Sequence, residues 1–310
     1  MHKNISIIVP IYNEESSINQ LYDEIIDSLK DITEIYEIIF VDDGSTDKSI
    51  SNINNLVSKD NNVILVQLNR NYGKSDALQE GFNIVKYDYV ITMDGDLQDD
   101  PKEIKNLINI LDDGWDCVSG WKKHRKDPLS KTIPSYFFNR FISIFSGLRI
   151  HDFNCGIKAY KKNVIKSLNI YGGLHRYIPL LLFNNGFKVT ELVVNHRPRE
   201  YGVTKYGKSR FLHGIFDFFT INFLKKYFNR PMYFFGTFGI ILSALGLGIN
   251  IYLTTLWFQG TYIGNRPLFF LGILLILVGI QSLSIGLVGE LIVNSARKKE
   301  IKIKKINSEK

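Results

Sequence analysis

Two cysteines, Cys117 and Cys155, are too few among 310 residues for a disulfide framework, and they have no metal-ligand spacing around them. Buried or neutral thiols are the expectation. The opening stretch MHKNISIIVPIYNEE lacks a charged n-region followed by an apolar core and a small-residue cleavage site, so no signal peptide is expected there. No G-x-x-x-x-G-K-[ST] loop occurs, which removes the Walker A class of nucleotide site. There is no internal repeat, and the basic tail is the sole low-complexity stretch. Charge itself is nearly missing from residues 231–296, where Arg266 and Glu290 stand alone.

That last gap contains two apolar runs, about 231–258 and 268–293, each long enough to cross a hydrocarbon core of about 30 Å. Two membrane spans are the expectation. The net charge of +7 would otherwise invite a nucleic-acid partner, but its placement argues against one. Residues 297–310 carry +5 and residues 208–230 carry +4, whereas residues 1–207 net −2. Cations on both outer flanks of a span pair follow the positive-inside rule, which puts residues 1–207 and the C-terminus in the cytoplasm, with membrane lipid as a partner. Two further segments, SYFFNRFISIFSGL (135–148) and the stretch within 208–230, mix aromatics with Arg and Lys at helical spacing, as helices lying in a membrane interface do.

Up to about residue 120 the chain alternates β-branched runs with helix-period stretches. The runs fall at 5–11, 36–43, 62–68, 87–94 and 116–121. Such alternation predicts an α/β domain with a mainly parallel, doubly wound sheet, whose ligands bind at the carboxyl ends of the strands. Polar clusters occur at four such ends: YNEE, DDGSTD, NRNYGK and DGDLQDD.

In DGDLQDD, Asp94, Asp96 and Gln98 offer hard oxygen donors of the kind that hold Mg²⁺ or Mn²⁺ already chelated by a diphosphate. In DDGSTD, Asp43 could accept from a base N–H, and Tyr12 could stack on the ring. The loop from Asn69 to Lys74 enters a helix, where backbone N–H groups and a cation favour phosphate. His175, His196 and His213 show no reciprocal partner in sequence and read as structural or interfacial.

The ordered set PIYNEE, VDDGSTD, NRNYGKSDAL, MDGDLQDDP, SGWKKHRKDP, DFNCGIKAY and HRPREYGVTKY resembles family 2 glycosyltransferases of the dolichol-phosphate mannosyltransferase type. With two C-terminal spans, the resemblance narrows to the bacterial polyprenyl-phosphate glycosyltransferase branch. It implies a GT-A catalytic domain over residues 1–207, an interface helix at 208–230, two spans within 231–296 and a cytoplasmic tail at 297–310. It also implies Pro10, Tyr12, Glu14, Asp43, Lys74 and Asp94 around the nucleotide sugar, with Asp94, Asp96 and Gln98 around metal and diphosphate. Arg199, Thr204 and Lys205 would belong to a mobile loop over diphosphate and acceptor, and Asp152 would lie at the acceptor side. Lys158 stands where the family more often has Arg, which keeps the charge and loses the bidentate fork.

The expected reaction is inverting hexose transfer, UDP-glucose first among donors and UDP-GlcNAc or GDP-mannose behind it, onto undecaprenyl phosphate at the inner membrane. Asp152, Arg199 and Lys205 are the expected catalytic groups, and Lys122, Arg125 and Thr204 the acceptor-phosphate groups. A homo-oligomer is compatible with all of this. A processive polysaccharide synthase would carry Q-x-x-R-W, and Trp115, Trp121 and Trp257 do not fit that pattern. An inactive membrane scaffold should have eroded Asp94, Asp96 or Arg199, and all are present.

Overall fold

The computed structural model describes residues 3–123, 139–198, 210–227, 230–263 and 266–296. It divides into two units, Met1–Phe219 and Thr220–Lys310.

In the first unit, β1 (Ile5–Ile11), β2 (Tyr36–Asp42), β3 (Val63–Gln67), β4 (Tyr89–Thr92), β5 (Cys117–Trp121), β6 (Lys158–Lys161) and β7 (Val189–Val193) form one sheet in the order β3-β2-β1-β4-β6-β5-β7. All neighbours are parallel except β6, which runs antiparallel between β4 and β5. The near-continuous apolar runs of β1 and β2 are what a strand covered on both faces requires. Helices α1 (Ile18–Leu29) and α4 (Ile104–Asp112) contribute Leu21, Ile25, Leu107 and Leu111 to the core against Ile7, Val9, Phe40 and Ile91. Helices α2 (Ser49–Val57) and α3 (Lys74–Ile84) complete the α/β alternation.

The two last strands, β6 and β7, were not visible as periodic runs. KAYK is four residues with a lysine at each end, and VTELV is half-exposed along most of its length.

The strand order reverses direction between β1 and β4, where open parallel sheets form their crevice. Pairing of β1 with β4 stops at Ile8 opposite Thr92, while pairing with β2 continues to Ile11 opposite Asp42. Pro10 falls on the β4-facing side beyond that end, because Ile8 two residues earlier accepts from Met93 N. Its missing N–H therefore breaks no ladder bond.

Further along, α5 (139–146), α6 (Lys162–Ile165) and α7 (Ile178–Asn184) precede α8 (Arg210–Tyr227). The first of these falls inside the segment read as interfacial, and it does two things at once. Asn139 and Ile142 are buried, whereas Ile144 and Phe145 are 62% and 66% exposed. Phe141 packs against Phe145 with the rings tilted by 44° and meets Phe218 of α8 edge-on at 5.5 Å. Phe216 and Phe219 of α8 are 65% and 59% exposed, so both helices carry bare aromatic surface.

In the second unit, α9 (Pro231–Phe258) and α10 (Pro267–Ala296) are about 42 Å and 45 Å long at 1.5 Å per residue, enough to cross a bilayer core. Their mean hydropathies over the most apolar windows are 1.8 and 2.5, with 17% of either window buried. A core helix of a soluble protein would bury most of that surface. The two pack through small residues: a Cβ on Gly246 would lie 2.6 Å from the Gly272 carbonyl, and one on Gly239 equally close to that of Gly279.

Both thiols are buried on or beside the sheet, and burial pushes Cys117 and Cys155 up to about 12. Neither is a thiolate at neutral pH. Iodoacetamide at about pH 8 should label neither thiol in the folded protein and both in denaturant. Rapid labelling of the folded protein would contradict the burial described.

Candidate active site

The carboxyl ends of β1, β2 and β4 converge on a cleft of about 790 Å³. Three loops are pinned around it. Asn13 N donates to Ser45 Oγ at 2.9 Å, and Thr46 N donates to Asn13 Oδ1 at 2.8 Å, joining the loops after β1 and β2. Asp43 accepts from Tyr72 N and Gly73 N at 2.7 and 2.9 Å, which fixes the loop entering α3. Gly44, at φ +73°, lets that loop come close: a Cβ there would lie 2.6 Å from the Arg70 carbonyl carbon. Ser17 Oγ donates to Gly95 O at 2.6 Å, tying the start of α1 to the segment after β4.

Pro10, Tyr12, Glu14, Asp43, Lys74, Asp94 and Asp96 all line the cleft. Asp43 is less free than expected, since both of its oxygens already hold the α3 loop. Burial raises its pKa, the two backbone donors lower it, and the net shift is upward.

Asp94 pairs with Lys74 at the floor. Burial would raise the Asp94 pKa, but the ammonium groups of Lys74, Lys122 and Lys158 outweigh it and hold the carboxyl well below the usual carboxylate range. Asp96 is 9% exposed, and its Oδ1 accepts from Gln98 N at 3.2 Å. Between them Leu97 adopts φ +61° with its side chain buried in the core, a conformation a bulky residue holds only when its surroundings impose it. The buried side chain thus anchors the turn that presents Asp96.

Gln98 lies outside the cleft lining, its Nε2 donating at 3.5 Å to the Arg197 carbonyl. Among the described residues no group of three or more His, Cys, Asp or Glu side chains could hold a metal by itself. Two cleft carboxylates are hard donors of the right kind for a divalent ion whose other ligands come from substrate oxygens, so the residues present fit such an ion.

Two further expected site residues are not in the lining that the described residues give this cleft. Lys122, read as an acceptor-phosphate cation, is largely covered, its side chain 12% exposed, and forms an ion pair with buried Asp99 at 2.9 Å. Burial lowers the pKa of this ammonium, but Asp99, Cys155 and Asp94 raise it further, and the net shift is upward. Asp152 is 1% exposed, does not line the cleft of the described residues, and accepts from Asn154 N at 3.1 Å across its own turn. Arg125, Arg199, Thr204 and Lys205 fall outside the described residues.

Several groups went unread. Asp99 accepts from Asp94 N at 3.1 Å while holding Lys122, so a buried pair sets the backbone of the first aspartate. Gly156, two residues ahead of β6, has Asp94 and Asp99 against its backbone. Arg197 bridges Glu24 at 2.5 Å and Asp100 at 2.8 Å, fixing the chain just ahead of Arg199. An acidic residue one helix turn or more from any motif gives no signal in sequence that Arg197 will choose it.

A nucleotide-sized crevice at the reversal point of a mostly parallel sheet, with a D-x-D pair just beyond the end of the strand that flanks it, defines the GT-A class of glycosyltransferase. Within that class the chain belongs to glycosyl transferase family 2, whose profile matches residues 6–168. It is 36% identical over 294 residues to the dodecaprenyl-phosphate galacturonate synthase of Rhizobium johnstonii, covering 93% of this chain and 87% of that protein. It is 31% identical over 293 residues to the undecaprenyl-phosphate 4-deoxy-4-formamido-L-arabinose transferase of Yersinia pestis, covering 94% and 88%. The fold superposes on glucosyl-3-phosphoglycerate synthase from Mycobacterium tuberculosis, solved with Mn²⁺ and UDP-glucose, with a TM-score of 0.52 at 19% identity, covering 72% of this chain and 79% of that one.

Proposed function

We propose that this glycosyltransferase moves a hexose from a nucleoside diphosphate sugar, UDP-glucose first, onto a polyprenyl phosphate at the cytoplasmic face of the inner membrane. The observation that carries the acceptor half is Phe216, which lines the same cleft as Asp94 and Asp96 while standing 65% exposed. A soluble sugar acceptor gives no reason for bare aromatic rings at a catalytic cleft; a lipid chain does. The two apolar helices and the acceptors named in the two relatives support the same reading.

In this reading Pro10, Tyr12, Glu14 and Asp43 form the nucleotide end. Asp94, Asp96 and Gln98 would hold Mg²⁺ or Mn²⁺, with Gln98 turning from the Arg197 carbonyl. Such an ion, when bound, neutralises charge on the departing diphosphate. Lys74 stands beside Asp94 as a second positive group for that diphosphate. Arg199, Thr204 and Lys205 would add donors from the segment after Arg197, and Arg125 a cation for the acceptor.

The acceptor's phosphate oxygen is already anionic, so it attacks the anomeric carbon without a general base. One carbon–oxygen bond forms as the bond to the diphosphate breaks; the diphosphate leaves with the electron pair and the anomeric configuration inverts. The protein's task is to hold two anionic groups in line and to neutralise the one that leaves.

The donor is tested by comparing kcat/KM for UDP-glucose, UDP-GlcNAc, GDP-mannose and UDP-galacturonate with undecaprenyl phosphate and Mn²⁺. UDP-glucose should lead by about tenfold or more. A higher value for another donor overturns the choice of sugar, and lipid-linked product from none overturns the acceptor reading.

A further inference from the structure

Among the described residues, one cation lining the cleft has no anion paired with it. Lys74 is taken by Asp94, but Arg176 makes no side-chain hydrogen bond or ion pair among the described residues. It is only 9% exposed, and its Nε is fully buried without a partner. That nitrogen has given up water without a partner among the described residues, which is costly unless an anion arrives to complete the group.

The position is built rather than accidental. Arg176 sits on the short 3₁₀ turn Leu174–Tyr177, and that turn is stapled to the start of α3. Ser75 Oγ donates to Gly172 O at 2.7 Å, accepts from His175 N at 3.0 Å, and lies 2.9 Å from His175 Nδ1. Burial, then Lys74, Arg176 and Lys158, lower the His175 pKa well below its ordinary value, so the ring is neutral and Arg176 carries the charge of the turn. Asp217 lies against Gly173, whose absent Cβ leaves it room, and lines the same cleft.

The neighbouring wall says which anion. Phe216 lines the cleft beside this turn and belongs to the exposed aromatic surface of α8 and α5. An oxyanion that reaches Arg176 with an apolar chain attached would lay that chain on those rings. We propose that Arg176 binds the phosphate of the lipid acceptor and sets its distance from the donor. This assignment rests on the acceptor reading above. It is a role for a residue that the motifs do not mark, in the cleft that Pro10 and Tyr12 also line.

The test uses the full chain in detergent micelles. Binding of undecaprenyl phosphate and of undecaprenol is followed by tryptophan fluorescence, and binding of UDP with Mn²⁺ by calorimetry, for the wild type, Arg176→Gln and Arg176→Lys. The wild type should prefer the phosphate. Arg176→Gln should lose about tenfold or more of that preference, the scale of a hydrogen bond to a charged group, with UDP affinity held within about twofold. Arg176→Lys should recover part of it, which a merely structural role would not produce. Retained UDP binding also shows that each variant folds.

An unchanged preference in Arg176→Gln overturns the proposal, as does a loss of UDP affinity as large as the loss for lipid phosphate, which would move the contact to the donor diphosphate. A wild type that binds both lipids alike removes the acceptor reading itself, and the assignment with it.

Discussion

Asp96→Asn should fold as the wild type does and lose transfer activity by about a thousandfold, the scale of removing one preorganised charge from a developing leaving group. The substitution is nearly isosteric. Asparagine keeps an Oδ1 to accept from Gln98 N, so the turn around Leu97 survives, while the charge that would hold the metal and diphosphate is gone. Steady-state rates with undecaprenyl phosphate and a melting curve for the same preparation separate the two effects. A melting temperature near that of the wild type with activity within about tenfold would show that Asp96 does not carry the chemistry.

Asp94→Asn should differ in a telling way, because Lys74 would lose its partner and Lys122 and Lys158 a nearby anion. The Asp94 carboxyl is held below its ordinary pKa, so it contributes stability at all pH values above the unfolded value of about 4, and that contribution is lost as pH falls through the folded value. The melting deficit of Asp94→Asn should therefore be full near neutrality and shrink below about pH 4.

The second large effect is expected at a residue with no side chain. Gly156→Ala places a methyl group 2.6 Å from Asp94 Cγ and against Asp99 Oδ2. Neither carboxylate can yield cheaply. Asp99 is buried, paired with Lys122, and accepts from Asp94 N; Asp94 is paired with Lys74. Displacing the pair should cost about 3–5 kcal/mol, as breaking a buried ion pair does, and should lower kcat about a hundredfold through misplacement of Asp94. Thermal unfolding and kcat at saturating substrates measure both. Wild-type stability in Gly156→Ala would show that the strand end is looser than the packing around β6 implies.

Much of this site was legible because strand ends are local. A run such as ISIIVPI followed by YNEE, or YVIT followed by MDGD, says both where a parallel strand stops and what stands at its mouth. The choice of Asp94 and Asp96 drew on that strand end and on the companion motifs in order along the chain. Lys122 and Asp99 were illegible for the opposite reason. SGWKKHRKD reads as a source of cations for the acceptor phosphate, and nothing local in it says that Lys122 meets an aspartate 23 positions earlier, beside the insertion of β6 between β4 and β5.

Arg176 fails in the same manner. HRY in a short turn carries no periodicity, and its meaning appears once Ser75 and Gly172 fix the turn at the cleft. For Asp152, the resemblance implies a place at the acceptor side, and the structure adds that its side chain accepts from Asn154 N in an Asx-type bend.

The central claim is that the nucleophile is a lipid phosphate. Its most direct test is mass spectrometry of the lipid product after incubating the full chain with UDP-glucose, Mn²⁺ and an equimolar mixture of undecaprenyl phosphate and undecaprenol. A gain of one hexose on the phosphate alone, abolished by chelator and in Asp96→Asn, is the predicted result. Hexose on undecaprenol, or free glucose with neither lipid modified, would contradict it.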